Sequence, residues 1–400
     1  MAYFRPNLTG GIMIERPVRD AFLVFGQPEI LQPEIDEVVD SLRTAWLGTG
    51  PKVARFKADF ARYKGVEHVT AVNSCTAALH LSCVAAGLAP GDEVITTALT
   101  FCATVNAVLH SGATPIVVDC DPVTMNLSPA AVEAAITPRT RAMIPVHFDG
   151  RLCDMSALTD IARRHDLVLI EDCAHAVEAQ DASGQGAGTF GDFATFSFYA
   201  TKNVVTGEGG MIIARRAEDS VRLEQLALHG MSADAWRRFG DAGFKHYTVT
   251  ECGYKYNMMD LQAALGIHQL ARVEANWKRR EQVAERYAAE LADLPITLPA
   301  APEPGTRHAH HLYPILLDPA AGVKRDDFLD RMTAERIGVG VHYLALPEHP
   351  YYQRTLGWRP EDTPQATRIG RTTVSLPLAP RLSDDDVSDV VAAVRRSLVP

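Results

Sequence analysis

From about residue 33 the chain alternates between two apolar patterns, and no other feature restricts its fold as strongly. Runs with helical spacing (PEIDEVVDSLRTAW, ARFKADFARYKG, TAALHLSCVAAGL) are interleaved with short β-rich runs (EVITT, PIVVD, AMIPV, LVLIED, FATFSF, GMIIA). This order predicts an α/β fold with a largely parallel sheet of central, buried strands between helices. Turn signals punctuate it, notably Pro90-Gly91-Asp92 before one strand and Asp149-Gly150 after another.

At 400 residues the chain exceeds what one hydrophobic core usually supports, so a large domain and a smaller one are expected. A long helical stretch over roughly 259–293 runs into the Pro-rich segment LADLPITLPAAPEPGT, which marks a boundary. Beyond it, near residue 300, a small α+β unit begins. Its pattern is strand-like HLYPILL, helix-like RDDFLDRMTAERI, strand-like GVGVHYL and a last helix after Ser383. No internal repeat is visible.

The net charge of −10 disfavours nucleic acid as a partner while leaving room for a local anion pocket. No run approaches the roughly 20 apolar residues of a membrane span, and the opening MAYFRPNLTGGIMIERPVRD lacks a signal-peptide layout, so a cytoplasmic protein is expected. The seven cysteines are odd in number, scattered and without a CxxC pair, which suggests neither a disulfide framework nor a metal site.

Several chemistry-bearing residues fall at predicted strand ends, where open α/β sheets bind ligands. Glu171 and Asp172 close the strand LVLIED and are followed by Cys173, Ala174 and His175; Asp172 either serves a ligand or caps the next helix. Lys202 follows the strand FATFSF and precedes Gly207-Glu208-Gly209-Gly210, although lone lysines are usually solvated surface groups. Asn73-Ser74-Cys75-Thr76 stands between a strand and a helix, as an anion site or a plain N-cap. Phe101 lies at the same rim, where most aromatics are core residues. The conjunction of anion cradle, aromatic plate, carboxylate and lysine on one edge favours a site. A hydrolase or dinucleotide enzyme would need a GxSxG elbow or a GxGxxG loop between strand and helix, and neither is found.

These residues sit in segments that run, in order, from about residue 22 to the C-terminus. They are TGPKVARFKADFARYKGVEHVTAVNSCTAALH, PGDEVITTALTFCATVNAVLHSGATPIVVDCDP, IPVHFDGRLCDM, LIEDCAHAVEA, GTFGDFATFSFYATKNVVTGEGGM, GYKYNMMDLQAALG and SLPLAPRLSDDDV. In these motifs the chain resembles the DegT/DnrJ/EryC1/StrS family of sugar aminotransferases, which have the fold of fold-type I pyridoxal 5′-phosphate (PLP) enzymes. The resemblance implies a large PLP-binding domain with its N-terminal segment over 1–258, and a connecting helix plus small C-terminal domain over 259–400.

It also implies roles. Lys202 matches the lysine that carries PLP as a Schiff base and then shuttles a proton. Asp172 matches the acid on the pyridine nitrogen, His175 the group at the ring oxygen, and Phe101 the stacking aromatic. Cys75, Thr76 and Ser197 match the phosphate site. In Gly253-Tyr254-Lys255-Tyr256-Asn257, either Lys255 or Asn257 matches the residue that reaches the partner subunit's phosphate in a homodimer with shared active sites.

The substrates implied are L-glutamate and a nucleotide-linked keto sugar. The GYKYN form, with Phe244, Lys245, His246 and Tyr247 before it, resembles the branch that aminates C4 of a dTDP-4-keto-6-deoxyhexose. The alternatives are a transaminase of a cyclitol or other free ketone and a non-catalytic PLP-binding regulator. His342 and Tyr343 either touch substrate or are packed strand residues.

Overall fold

The structure, a computed structural model, describes residues 16–232 and 247–398. Its main sheet has seven strands: β1 (Val69–Val72), β2 (Glu93–Thr97), β3 (Thr114–Val118), β4 (Thr140–Ile144), β5 (Val168–Asp172), β6 (Phe193–Ser197) and β7 (Gly210–Ala214). Their spatial order is β1-β7-β6-β5-β4-β2-β3. Neighbours from β3 to β6 pair in parallel, whereas β7 pairs antiparallel with both β6 and β1. Every residue of β1, β2, β6 and β7 is buried, and the sheet edge β3 is only partly covered. Continuous apolar runs are what strands covered on both faces require, and the α/β expectation is met.

The first seven helices are α1 (Gln32–Arg43), α2 (Pro51–Lys64), α3 (Cys75–Ala85), α4 (Ala103–His110), α5 (Pro129–Ala135), α6 (Met155–His165) and α7 (Ala217–Ala227). In α2, Pro51 opens the first turn and Gly65, at φ +68°, closes the last. Its buried face is Val53, Phe56 and Phe60. Phe56 meets Phe198 edge-on at 5.1 Å and Phe60 meets Phe196 at 5.0 Å, which fixes the backbone on either side of Ser197. Burying each ring contributes about 1.5–3 kcal/mol. Helix α3 carries small residues because it lies deep against the sheet. A Cβ on Gly210, at the start of β7, would stand 2.6 Å from the Ser74 carbonyl oxygen, so only glycine lets the strand and the helix N-terminus approach this closely.

A second core gathers Val283, Tyr287, Ile315, Phe328, Val374 and Val390 around an antiparallel sheet, β8 (Ile296–Thr297), β9 (Tyr313–Leu317) and β10 (Thr373–Leu376), in the order β10-β9-β8. Leu23, from the other end of the chain, belongs to this core. Its amide donates to the Arg336 carbonyl at 2.9 Å and its carbonyl accepts from the Gly338 amide at 2.8 Å.

Two local expectations are corrected. The stretch 259–293 is two helices, Asp260–Ala271 and Val273–Glu290, broken at Arg272 (φ −109°, ψ 10°). The Arg272 side chain turns away to bond Glu34 and, at 2.6 Å, the Glu29 carbonyl. GVGVHYL forms no strand; it meets the sheet only where Gly340 and Ser375 exchange both backbone bonds, at 3.0 and 2.8 Å. The chain then leaves the sheet, and His342 and Tyr343 project into the cavity described below. Among the described residues no helix is long and apolar enough to cross a membrane.

Candidate active site

The carboxyl ends of β5 and β6 lie side by side, with Asp172 paired to Thr195 in a parallel ladder. Asp172 therefore emerges on the same edge as Ser197 and the loop from 198 to 209, which carries Lys202 back to the reversed strand β7. This edge opens into a cavity of about 530 Å³. Cys75, Thr76, Phe101, Asp172, His175, Ser197, Lys202, His342 and Tyr343 all line it, so nine expected residues converge in one place. Phe25 and Gly26, from the segment that follows Leu23, form part of its wall.

Asp172 is buried and accepts two bonds, from the Ala174 amide at 3.1 Å and the Thr104 hydroxyl at 2.9 Å. Thr104 in turn accepts from Thr100 at 3.0 Å, because its own proton goes to the carboxylate. Burial holds the Asp172 carboxyl above its ordinary value, and the two donors only partly offset this. A carboxylate has about four lone-pair directions, so capacity remains for a cationic N–H from the cavity.

Lys202 is half-buried. Burial pulls its amine down to about 8, against the opposing influence of Cys75 and Asp172. At that value an appreciable fraction is a free amine near neutrality, as a nucleophile needs. Burial and then the charge of Lys202 hold His175 well below the usual imidazole range. Its Nε2 lies 3.1 Å from the Tyr343 hydroxyl, and its Nδ1 is buried with no partner among the described residues. Burial lowers His342 to about 4 and raises the Tyr343 phenol, so both side chains face the cavity uncharged.

At the N-terminus of α3 the Ser74 hydroxyl accepts from the Ala77 amide at 3.1 Å. The first-turn amides of Cys75 and Thr76 have no acceptor within the helix, and the helix dipole adds partial positive charge there. Burial, then the charge of Asp172, keeps the Cys75 thiol protonated.

Lys255 and Asn257 do not line this cavity. They stand beside β1, where the Lys255 ammonium donates to the Asn257 carbonyl at 2.7 Å and the Asn257 amide donates to the Thr49 hydroxyl at 2.8 Å. Phe244, Lys245 and His246 lie outside the described residues.

Three contributors were missed in the sequence. Thr104 bonds Asp172, Phe25 enters from the N-terminal segment, and His311 places Nε2 3.4 Å from the Lys202 amine. Only His311 had a local signal, the run His308-Ala309-His310-His311.

The profile of the DegT/DnrJ/EryC1/StrS aminotransferase family matches residues 28–395. The chain belongs to this family. It is 46% identical to the spore coat polysaccharide biosynthesis protein SpsC of Bacillus subtilis (strain 168), over 94% of this chain and 97% of that protein. The aminotransferase TlmJ from Streptoalloteichus hindustanus superposes with a TM-score of 0.85 at 33% identity, covering 94% of this chain and 99% of that one. The Streptococcus pneumoniae protein Spr1654 in its PLP form gives a TM-score of 0.87 at 30% identity, covering 94% and 98%. The chain is thus an aminotransferase of the fold-type I class, and the cofactor of its family is PLP. Its residues fit that group. The α3 terminus suits a phosphate, Asp172 keeps open acceptor capacity for a protonated ring nitrogen, and the orphaned Nδ1 of His175 awaits a polar partner.

Proposed function

We propose that this enzyme moves an amino group from L-glutamate to a nucleotide-linked keto sugar, at C4 of a dTDP-4-keto-6-deoxyhexose. The observation that carries the reading is the half-buried Lys202, lowered to about 8, in one cavity with Asp172 and the N-terminus of α3. When bound, PLP supplies the electron sink that makes the substrate C–H acidic. With PLP bound, Lys202 would hold and move that proton on Nζ, working near its own pKa. Asp172 would keep the ring nitrogen protonated through a charge-assisted bond. Cys75, Thr76 and Ser197 would bind the phosphate, His175 would meet the ring oxygen, and Phe101 and Tyr343 would exclude water from the reacting face. His342 and Tyr343 touch the sugar.

The active unit in this reading is a cytoplasmic homodimer. Residues 1–258 form the N-terminal segment and PLP-binding domain, and residues 259–400 the connecting helix and small C-terminal domain. Lys255 is exposed and bonds Asn257, which in turn reaches Thr49 on the segment that carries the exposed Trp46 and Leu47. Exposed apolar residues on the segment that Asn257 contacts suit a subunit contact in which Lys255 or Asn257 reaches the partner's phosphate.

The test is the visible spectrum of the PLP-loaded protein before and after L-glutamate. The cofactor band should bleach and then return on addition of a nucleotide-linked 4-keto sugar. Lys202→Ala should slow the exchange by at least about 10²–10⁴-fold, the contribution of a positioned proton carrier. Recovery with free ketones but not nucleotide sugars would reassign the acceptor. A spectrum that no amino donor changes would leave a PLP-binding regulator in place of an enzyme.

A further inference from the structure

Beside Lys202 runs a buried polar chain whose hydrogen-bond directions can be read without ambiguity. Arg280 pairs with Glu178, and both are almost fully buried. The Asn203 side-chain nitrogen donates to Glu178 Oε2 at 2.8 Å and to the Ala309 carbonyl at 3.0 Å. Both partners are pure acceptors, so this atom must be the NH₂, and the Asn203 oxygen must face the other way. It faces His311 Nδ1 at 3.1 Å. An amide oxygen can only accept, so His311 carries its proton on Nδ1. Burial, followed by the charges of His175 and Lys202, keeps this imidazole neutral. Its Nε2 is therefore a bare lone pair, 3.4 Å from the Lys202 amine.

The fold holds this arrangement firmly. The His311 amide donates to the Asp149 carbonyl and the Ala309 amide to the Gly150 carbonyl, each at 2.9 Å. Gly150 sits at φ +108°, and a Cβ there would stand 3.0 Å from Ala309 Cβ and 3.1 Å from the His175 carbonyl. Glycine at that turn lets the segment of His311 close against the turn of His175, where the two rings meet at 4.3 Å with their planes tilted by 38°.

We infer that His311 is a positioning residue for the nucleophile: its bare Nε2 accepts one proton of the Lys202 amine and thereby aims the nitrogen lone pair into the cavity. Asn203, the next residue after Lys202, fixes the tautomer that makes this possible. A long bond in the free enzyme is ordinary for groups that tighten during reaction. This inference rests on the role given to Lys202 above.

Two substitutions separate this role from mere packing. In His311→Gln the side-chain oxygen reaches the Nε2 position and can still accept from Lys202, while the bond to Asn203 is lost. In His311→Asn the amide nitrogen reaches the Nδ1 position and keeps Asn203, but nothing accepts from Lys202. Single-turnover bleaching by saturating L-glutamate should slow by about 10- to 100-fold in His311→Asn, the effect of losing one orienting partner. His311→Gln should recover most of that rate, with KM for glutamate nearly constant in both. The reverse order, or equal rates, overturns the proposal. Nitrogen-15 spectra of histidine-labelled PLP-loaded wild type provide a readout independent of turnover. They should show His311 protonated on Nδ1, and an Nε2–H signal would overturn the proposal. Should no amino donor bleach even the wild type, the functional reading fails while the tautomer remains measurable.

Discussion

Glu171 and Asp172 are consecutive carboxylates at the end of one strand, both buried, yet their surroundings treat them in opposite ways. Glu171 points to the side where protein donors saturate it. It accepts from the amides of Gly188, Phe190 and Gly191 at 2.9, 2.8 and 2.7 Å and meets His147 Nε2 at 3.1 Å. Burial pushes its pKa up, but His147 and these amides outweigh that and leave it below the ordinary value. Asp172 points to the cavity, receives two donors, and stays above its ordinary value. One carboxylate is completed by its own chain; the other keeps room for a ligand. Desolvation alone therefore does not mark a functional group, whereas desolvation with unfilled acceptor capacity does.

The contrast can be broken most decisively at Asp172. Asp172→Asn should slow amino transfer by about 10²–10³-fold, the usual scale for removing one electrostatic stabiliser. It should leave the thermal midpoint of the cofactor-free protein unchanged or higher. Because the folded pKa is raised, the folded state holds an extra proton above the unfolded pKa, and ionisation on further rise of pH weakens the fold. The neutral amide has no such ionisation. A clear drop in melting temperature at neutral pH would show that Asp172, like Glu171, is completed by the protein's own donors.

Glu171→Gln should act on the fold itself, lowering unfolding free energy by about 3 kcal/mol or more, as for one partner removed from a buried pair. Denaturant titration would measure it. The folded pKa of Glu171 is depressed, so its contribution is present above the unfolded pKa and lost as pH falls through the folded value. The variant should lose that acid dependence. An undiminished midpoint would mean that the two carboxylates are not so different.

The smallest change sharpens the comparison. Thr104→Val removes one of the two donors to Asp172. A lost bond to a charged group is worth about 1.5–3 kcal/mol. The Asp172 pKa should rise further and the acid limb of the pH–rate profile should move to higher pH. An unmoved limb would show that Thr104 does not tune the acid.

Much of the architecture was legible because strands covered on both faces leave continuous apolar runs: EVITT is β2, and LVLIED and GMIIA contain β5 and β7. Lys202, Asp172 and His175 were legible because contiguous motifs carry them. GVGVHYL misled because its apolar spacing is that of a strand, while Gly338 packs against the Leu23–Phe25 backbone and the chain then turns into the cavity. His311 and Thr104 acquire meaning only through contacts with Lys202 and Asp172, at separations of 109 and 68 residues. Periodicity within a window cannot report such pairs. Lys255 lies beside β1 and outside the cavity of its own chain.

The pairing of Leu23 with Ile337 sets the order in which the molecule can be finished. During synthesis the seven-stranded sheet has all its residues once the chain has passed Ala214, whereas the second core waits for its final helix, Asp384–Leu398. Until then the core that takes Leu23 is incomplete, and so is the support for Phe25 and Gly26, two and three positions further on, at the cavity wall. Closing a loop of that length is slow relative to local folding. A nascent or truncated chain would thus present Lys202 in a pocket with one side open.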